Sequence, residues 1–385
     1  MYIFTIALTL YGIIHFYIFL KIKSVFLISP GMSVLTCLFF FFMTMSPFFV
    51  HLCALRASLT PSRIFGNAVY IWMAIVLFFF SAALPMDLYN FSVNSIAFIL
   101  QKNLNNLILN PFSLFFIPLF LSFVFTTYGY FEAKDLRTER LVVKTSKLPQ
   151  GTGKLTIAHI TDLHLGLLVR EHILNKVVKI IEDEKPDIIV STGDLIDMDI
   201  NHIDAFADTL KKMYAPLGKF ASAGNHEFFV GIKKSRQFIE KSGFIFLRNS
   251  VVTPHNLIHI AGIDDRLGKY VKKYQDTVSA SEEEILSGLA PDKFTVLLKH
   301  RPEINRNSIG LYDLQLSGHT HKGQLFPVNL FIKYFLYPHY SGYTKFYKGT
   351  AMYVSRGAGT TCCPVRFFAP PEITIIELVP ESSLQ

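Results

Sequence analysis

Five short segments of this sequence bring together side chains that bind metal: Asp162 with His164, Gly193-Asp194, Gly224-Asn225-His226-Glu227, His300, and Gly318-His319-Thr320-His321. Aspartate, asparagine and histidine make a mixed oxygen and nitrogen donor set, suited to Mn, Fe, Zn or Co rather than to the all-oxygen cage of magnesium. Seven candidate ligands exceed the roughly three to five that one ion takes, so the set fits two ions sharing a bridging carboxylate. Two such ions, about 3.5 to 4 Å apart, lower the pKa of a bridging water and clamp a phosphoryl group for in-line attack. The chemistry expected is hydrolysis of a phosphoester or pyrophosphate.

Side chains so far apart in sequence need a scaffold that gathers them. From Lys154 onward, short β-branched runs alternate with polar loops and amphipathic stretches, the pattern of an α/β domain. Strands are expected at Leu155 to Ile160, Asp187 to Ser191, Lys219 to Ser222, Leu257 to Ala261, Phe294 to Leu298, Leu314 to Leu316, Met352 to Ser355 and Ile373 to Leu378. Helices are expected near Glu171 to Glu184, Ile203 to Met213, Lys233 to Ser242 and Ser281 to Leu289. Each motif follows a strand, where ligands gather in open α/β sheets, so five loops can supply one site.

In order and spacing these segments resemble the five motifs of the calcineurin-like metallophosphoesterases, over about Leu155 to Leu378. Lys322-Gly323-Gln324, Tyr353-Val354-Ser355-Arg356-Gly357 and the run Pro364 to Glu372 are similar to the branch with an amino-terminal membrane region. The resemblance implies a four-layer α-β-β-α sandwich of two mixed sheets. It implies that Asp162, His164 and His321 hold one metal, that Asn225, His300 and His319 hold a second, and that Asp194 bridges them. It makes His226 the group that stabilises phosphoryl oxygens or protonates the leaving group. Glu227 stands where many relatives carry Asp, at a position that is not a ligand.

Other residues admit two readings. Asp197 either orients a ligand or caps the following helix. Arg356 either meets a substrate phosphate or forms a structural salt bridge. His159, His202, His255 and His259 lack motif partners and read as non-ligands. The aromatic and basic stretch Phe326 to Lys348 suits either a loop packed at the mouth of the site, the preferred reading, or a bilayer-facing surface.

Ahead of this domain the chain is apolar. Met1 to Leu20, Phe26 to Leu55, Asn67 to Leu88 and Pro111 to Phe131 are long enough to span a bilayer as helices, and Asn90 to Asn110 reads as a loop with an interfacial helix at most. The first stretch lacks the basic start and cleavage site of a signal peptide. The division expected is a transmembrane region over 1–131, a juxtamembrane linker over 132–153 and a phosphoesterase domain over 154–385. Lys21, Lys23 and Lys102 flank one side, against Arg56, Arg63, Lys134, Arg137, Arg140, Lys144 and Lys147 on the other, which puts both termini and the catalytic domain in the cytoplasm, at an inner or plasma membrane. The net charge of +8 is spread along the chain with no nucleic-acid motif, and suits an anionic membrane surface. Four cysteines, two in the spans and two adjacent, make no disulfide framework.

The expected protein is therefore a membrane-anchored, two-metal phosphoesterase acting on a phosphorylated, lipid-linked substrate, with membrane lipids as its partners and no protein partner evident. The resemblance suggests a UDP-2,3-diacylglucosamine-type pyrophosphate as the specific case. The alternatives are a broad-specificity phosphodiesterase of soluble substrates and a non-enzymatic sensor that retains the fold.

Overall fold

The computed structural model describes residues 2–56, 59–149, 151–197, 204–270 and 281–381. Its contacts divide the chain into two units, Met1–Phe131 with Cys362–Val365, and Glu132–Thr361 with Arg366–Gln385. His202 and Ile203, which carry some of the sequence expectations, lie outside the described residues.

The first unit is helical: α1 (Tyr2–Val25), α2 (Pro30–Arg56), α3 (Leu59–Leu100) and α4 (Pro111–Glu132). Each contains a stretch long and apolar enough to cross a membrane, as expected. The third departs from expectation, because α3 continues through the region read as a loop and reaches 42 residues. The polar residues that suggested the loop are used otherwise. The amide of Asn90 bonds the returning chain at Leu109 in both directions, at 2.8 and 2.9 Å, and the hydroxyls of Ser92 and Ser95 donate to carbonyls one turn earlier. Polar groups deeper in this unit are paired with one another: Asp87 with Lys21 and Tyr17, and His15 with the Trp72 indole and Thr44.

Among the described residues the second unit holds twelve strands in two sheets. The first sheet runs β1 (Arg137–Thr145), β12 (Glu372–Pro380), β2 (Leu155–Ile160), β3 (Ile188–Ser191), β4 (Lys219–Ala221), β5 (Ile245–Phe246). The second runs β10 (Gly342–Lys345), β11 (Ala351–Val354), β9 (Leu314–Ser317), β8 (Thr295–Lys299), β7 (His259–Ile263), β6 (Ser250–Val252). The helices are α5 (Glu171–Glu184), α6 (Asp204–Lys211), α7 (Asn225–Val230), α8 (Ile232–Lys241), α9 (Leu267–Tyr270), α10 (Glu282–Ser287) and α11 (Val328–Phe331).

Alternation along the strands builds the layers. Ile157, Ile188 and Val190 turn toward Val296, Leu298 and Leu314 to form the core between the sheets. Their neighbours Ala158, Ile160 and Ile189 face the opposite way onto α5, α6 and α8. On the second sheet Leu297 turns outward to Leu286 of α10. The order is helix, sheet, sheet, helix, the sandwich expected. In each sheet the strands that precede the motifs run parallel, β2 with β3 and β4, and β8 with β9, so their loops emerge at one edge.

One expected boundary is corrected. Residues 132–153 are not a free linker, because Arg137–Thr145 pairs in parallel with β12 along its whole length, and Leu141 and Val143 pack on the core between the sheets. The strand escaped notice because its apolar run, Leu141 to Val143, is short and follows four polar residues, Arg137 to Arg140, on a half-exposed sheet edge. Hydrogen exchange on the full chain tests this: the amides of β1 are expected to exchange slowly, alongside those of β12. Exchange within seconds over 137–145 would restore the linker.

Candidate metal centre

The seven expected ligands follow strand ends, and five of them sit under unusual backbone constraint. Asp162, His164, Asp194, His319 and His321 have φ of 52, 50, 51, 70 and 49°, the left-handed region that costs a non-glycine residue about 1 kcal/mol or more. Such strain persists only where neighbours over-determine it. Here they do. The Asp162 carboxylate accepts the His319 amide at 3.0 Å through both oxygens, and the His164 amide donates to the Asp194 carbonyl at 2.9 Å. Glu227 is fully buried and accepts three amides, those of Asp194 and Gly224 at 2.8 Å and Leu195 at 3.0 Å. The glycines are equally constrained: a Cβ at Gly318 would lie 2.0 Å from an Asp162 oxygen, and one at Gly224 2.2 Å from an Asp194 oxygen.

The side chains converge in overlapping groups. Asp162, His164 and His321 have ligand atoms mutually within 4.8 Å, as do Asp194, His300 and His319, and His164, Asp194 and His226. Asp194 thus stands between the two halves, with His300 Nε2 at 3.1 Å and His164 Nε2 at 3.9 Å from the same oxygen. His164 and His321 point their Nε2 atoms at each other across 3.1 Å, and His319 Nδ1 faces His300 Nε2 at 3.2 Å. Asn225 opens α7 beside His226, whose amide donates to Asp194 Oδ1 at 2.8 Å. Its Oδ1 is buried with no hydrogen-bond partner among the described residues. A buried acceptor left bare, beside facing imidazole nitrogens and two buried carboxylates, is costly without a cation. The donor set fits divalent metal.

Electrostatics divide the groups. Burial pushes the Asp162 carboxyl up to about 6, reinforced by Asp194 and opposed by His300. Asp194 is held well below the usual carboxylate range: burial opposes this, and His300 and His226 outweigh it. Burial lowers His164 to about 4 and holds His319 and His321 well below the ordinary imidazole value, so these rings are neutral at pH 7, the form that ligates metal. His226 differs. Burial would lower it, but the carboxylates of Asp194 and Asp197 raise it to about 9.

The ambiguous residues are resolved by contact. Asp197 Oδ1 lies 3.0 Å from His226 Nδ1, so it orients that ring. Arg356, a candidate for substrate phosphate, is instead committed to carboxylates, Glu139 at 2.5 Å and Glu372 at 2.6 Å, and the salt-bridge reading replaces the phosphate one. His159 bonds Thr192 and His259 bonds Thr253, and neither they nor His255 joins a metal-binding group. In the stretch Phe326 to Lys348, Tyr337 is buried but Phe331, Tyr334 and Phe335 are 54, 69 and 75 % exposed, so the packed-loop reading holds for only part of it.

Three residues passed over in the sequence shape the centre. Arg366 is fully buried, 3.0 Å from His321 Nδ1, and donates to the carbonyls of Gly359, Gly357 and Ala369. Arg301 places Nη1 2.8 Å from His319 Nε2 and 3.0 Å from the Tyr337 hydroxyl, while Asp265 holds its Nε at 2.6 Å. Each arginine fixes the outer nitrogen of a ring whose inner nitrogen faces the centre. Adjacency to His300 was the available signal for Arg301; Arg366 lay in the run Pro364 to Glu372, noted only for its likeness to the membrane-anchored branch.

Residues 155–323 match the family model described as "Calcineurin-like phosphoesterase". The chain is 38% identical over 260 residues to an uncharacterized metallophosphoesterase of Aquifex aeolicus (strain VF5), covering 68% of this chain and 98% of that protein. An uncharacterized metallophosphoesterase of Bacillus subtilis (strain 168) is 33% identical over 266 residues, 65% of this chain and 89% of the other. A "Transmembrane protein with metallophosphoesterase domain" of Danio rerio is 29% identical over 276 residues, 68% of this chain and 62% of its own length.

Two substitutions separate clamp from chemistry. Glu227→Gln turns an amide NH₂ toward a backbone N–H, a mismatch worth about 1–3 kcal/mol; it is expected to lower the melting temperature and to weaken metal retention about 10- to 100-fold. His226→Ala is expected to keep the metal and lose about 10²- to 10⁴-fold in turnover. Elemental analysis alongside rates on a poor-leaving-group ester distinguishes the two, and full activity of the His226 variant would remove it from the reaction.

Proposed function

The chain belongs to the calcineurin-like phosphoesterases, hydrolases that use divalent metal, and from that premise we propose that it is a membrane-anchored, two-metal enzyme that cleaves a phosphoester or pyrophosphate bond of a lipid-linked substrate. The observation that carries the proposal is the position of Asp194, common to a group with His300 and His319 and to one with His164. That is the position a bridging carboxylate needs. Asp162, His164 and His321 would hold one ion, and Asn225, His300 and His319 the other. When bound, the pair supplies a low-pKa water and a clamp on the phosphoryl oxygens.

The protein's own groups do the rest. His226, held at Nδ1 by the Asp197 carboxylate, can deliver a proton to the leaving oxygen or hold a phosphoryl oxygen. Arg366 and Arg301 keep the rings of His321 and His319 in place.

The lipid reading is supported by four bilayer-length helices on the same chain. An anchored site meets lipid phosphates concentrated in two dimensions and soluble ones only in bulk. Within this class no residue of the site selects a UDP-2,3-diacylglucosamine-type substrate, and Mn, Fe, Zn and Co all suit the donors. The excess of basic residues, seven against three, supports a cytoplasmic catalytic domain at an inner or plasma membrane, which a carboxyl-terminal reporter fusion tests.

Purified full-length protein is expected to carry close to two transition-metal ions per chain by elemental analysis, with Asp194→Ala losing both metal and activity. A reproducible single ion in fully active protein would overturn the two-metal assignment.

A further inference from the structure

Just past His300 and Arg301 the chain continues as Pro302-Glu303-Ile304, and these residues form one wall of a trough of about 660 Å³, within the size range of about 300–1,000 Å³ usual for ligand pockets. Ile309, Leu336, Tyr337, Phe346 and Tyr347 complete a largely apolar lining. The trough adjoins the metal centre through Tyr337. Its ring meets the His319 ring edge-on at 5.5 Å, and its hydroxyl lies 3.0 Å from the Arg301 nitrogen that also reaches His319. A molecule with its phosphorus at the centre would therefore extend past Tyr337 into apolar surroundings.

The rim is apolar too. The segment that contributes Leu336 and Tyr337 also carries Phe331, Tyr334 and Phe335, each more than half exposed, with Lys333 among them. Large aromatics left in contact with water, interleaved with lysine, suit the headgroup region of a bilayer, and this chain's other unit is built of bilayer-length helices. Glu303 is neutralised by Arg266 at 3.1 Å, and Arg306 stands exposed at the lip, where a second anionic group of a lipid headgroup would be received.

We infer that this trough is the subsite for the hydrocarbon chain of the substrate, so that the enzyme selects a membrane lipid phosphoester by its apolar tail. The inference rests on the lipid reading above and names the residues that read the lipid.

The test uses the full chain in phosphatidylcholine nanodiscs and a series of alkyl 4-nitrophenyl phosphodiesters from methyl to octyl. Each methylene entering the trough is worth about fourfold in kcat/KM, so the hexyl-to-methyl ratio is expected to exceed ten. Leu336→Arg and Tyr347→Arg, on two different lining residues, are each expected to bring that ratio toward one, with metal content showing that the variants are folded. A flat series in the wild type would overturn the subsite. So would a ratio that stays at the wild-type value in both variants, which would mean partition into the bilayer alone. Failure of metal-loaded protein to cleave even the methyl ester would strike at the hydrolase reading itself, and the subsite would fall with it.

Discussion

Glu227, a carboxylate that faces backbone amides rather than substrate, holds the centre together. Its two oxygens take amides from the loop after β3 and from the loop after β4, so the element carrying Asp194 and the element carrying Asn225 and His226 cannot move apart without stranding a buried charge. Breaking one side of such a buried arrangement costs several kcal/mol. Of the five residues in left-handed backbone, Asp194 is held directly by this carboxylate, and the strain there is small against the hydrogen bond that would be lost on relaxing it.

The second sheet contributes differently. His300 is fixed by its Nδ1 against the Thr192 carbonyl at 2.9 Å, so the loop after β3 reaches across to the other sheet, while His319 and His321 are fixed by arginines. His300, His226, His319 and His321 are each held from the far side, by a carbonyl, a carboxylate or a guanidinium, whereas Nδ1 of the buried His164 has no hydrogen-bond partner among the described residues. These outer partners orient the rings, and His300 and His226 are held by acceptors that suit a ring N–H.

The ligand motifs were legible because each is local: a strand, a turn and a polar residue within a few positions. The alternation of Ile188, Ile189 and Val190 likewise announced a strand buried on both faces. What stayed hidden depends on contacts distant in sequence. Arg366 meets His321 across 45 positions, and Arg356 meets Glu139 across 217. Strand β1 is a strand only because β12 lies beside it, and Asn90 marks no helix end because Leu109 returns to bond it. Local pattern assigns chemistry to residues; it does not say which distant carboxylate claims an arginine first.

The place of β12 has a bearing on biosynthesis. It lies between β1 and β2, parallel to one and antiparallel to the other, although it follows every other strand of the domain in sequence. Until residues 372–380 leave the ribosome, β1 and β2 each present an unpaired edge and the first sheet is split in two. The loops carrying Asp162 and His164 then hang from a strand with one neighbour missing, and Gly357, whose carbonyl takes the Glu372 amide, has nothing to dock against. Nascent chains are thus exposed to strand-mediated misassembly until translation is nearly complete, and a stop codon shortly before residue 372 would leave the sheet open for the life of the protein.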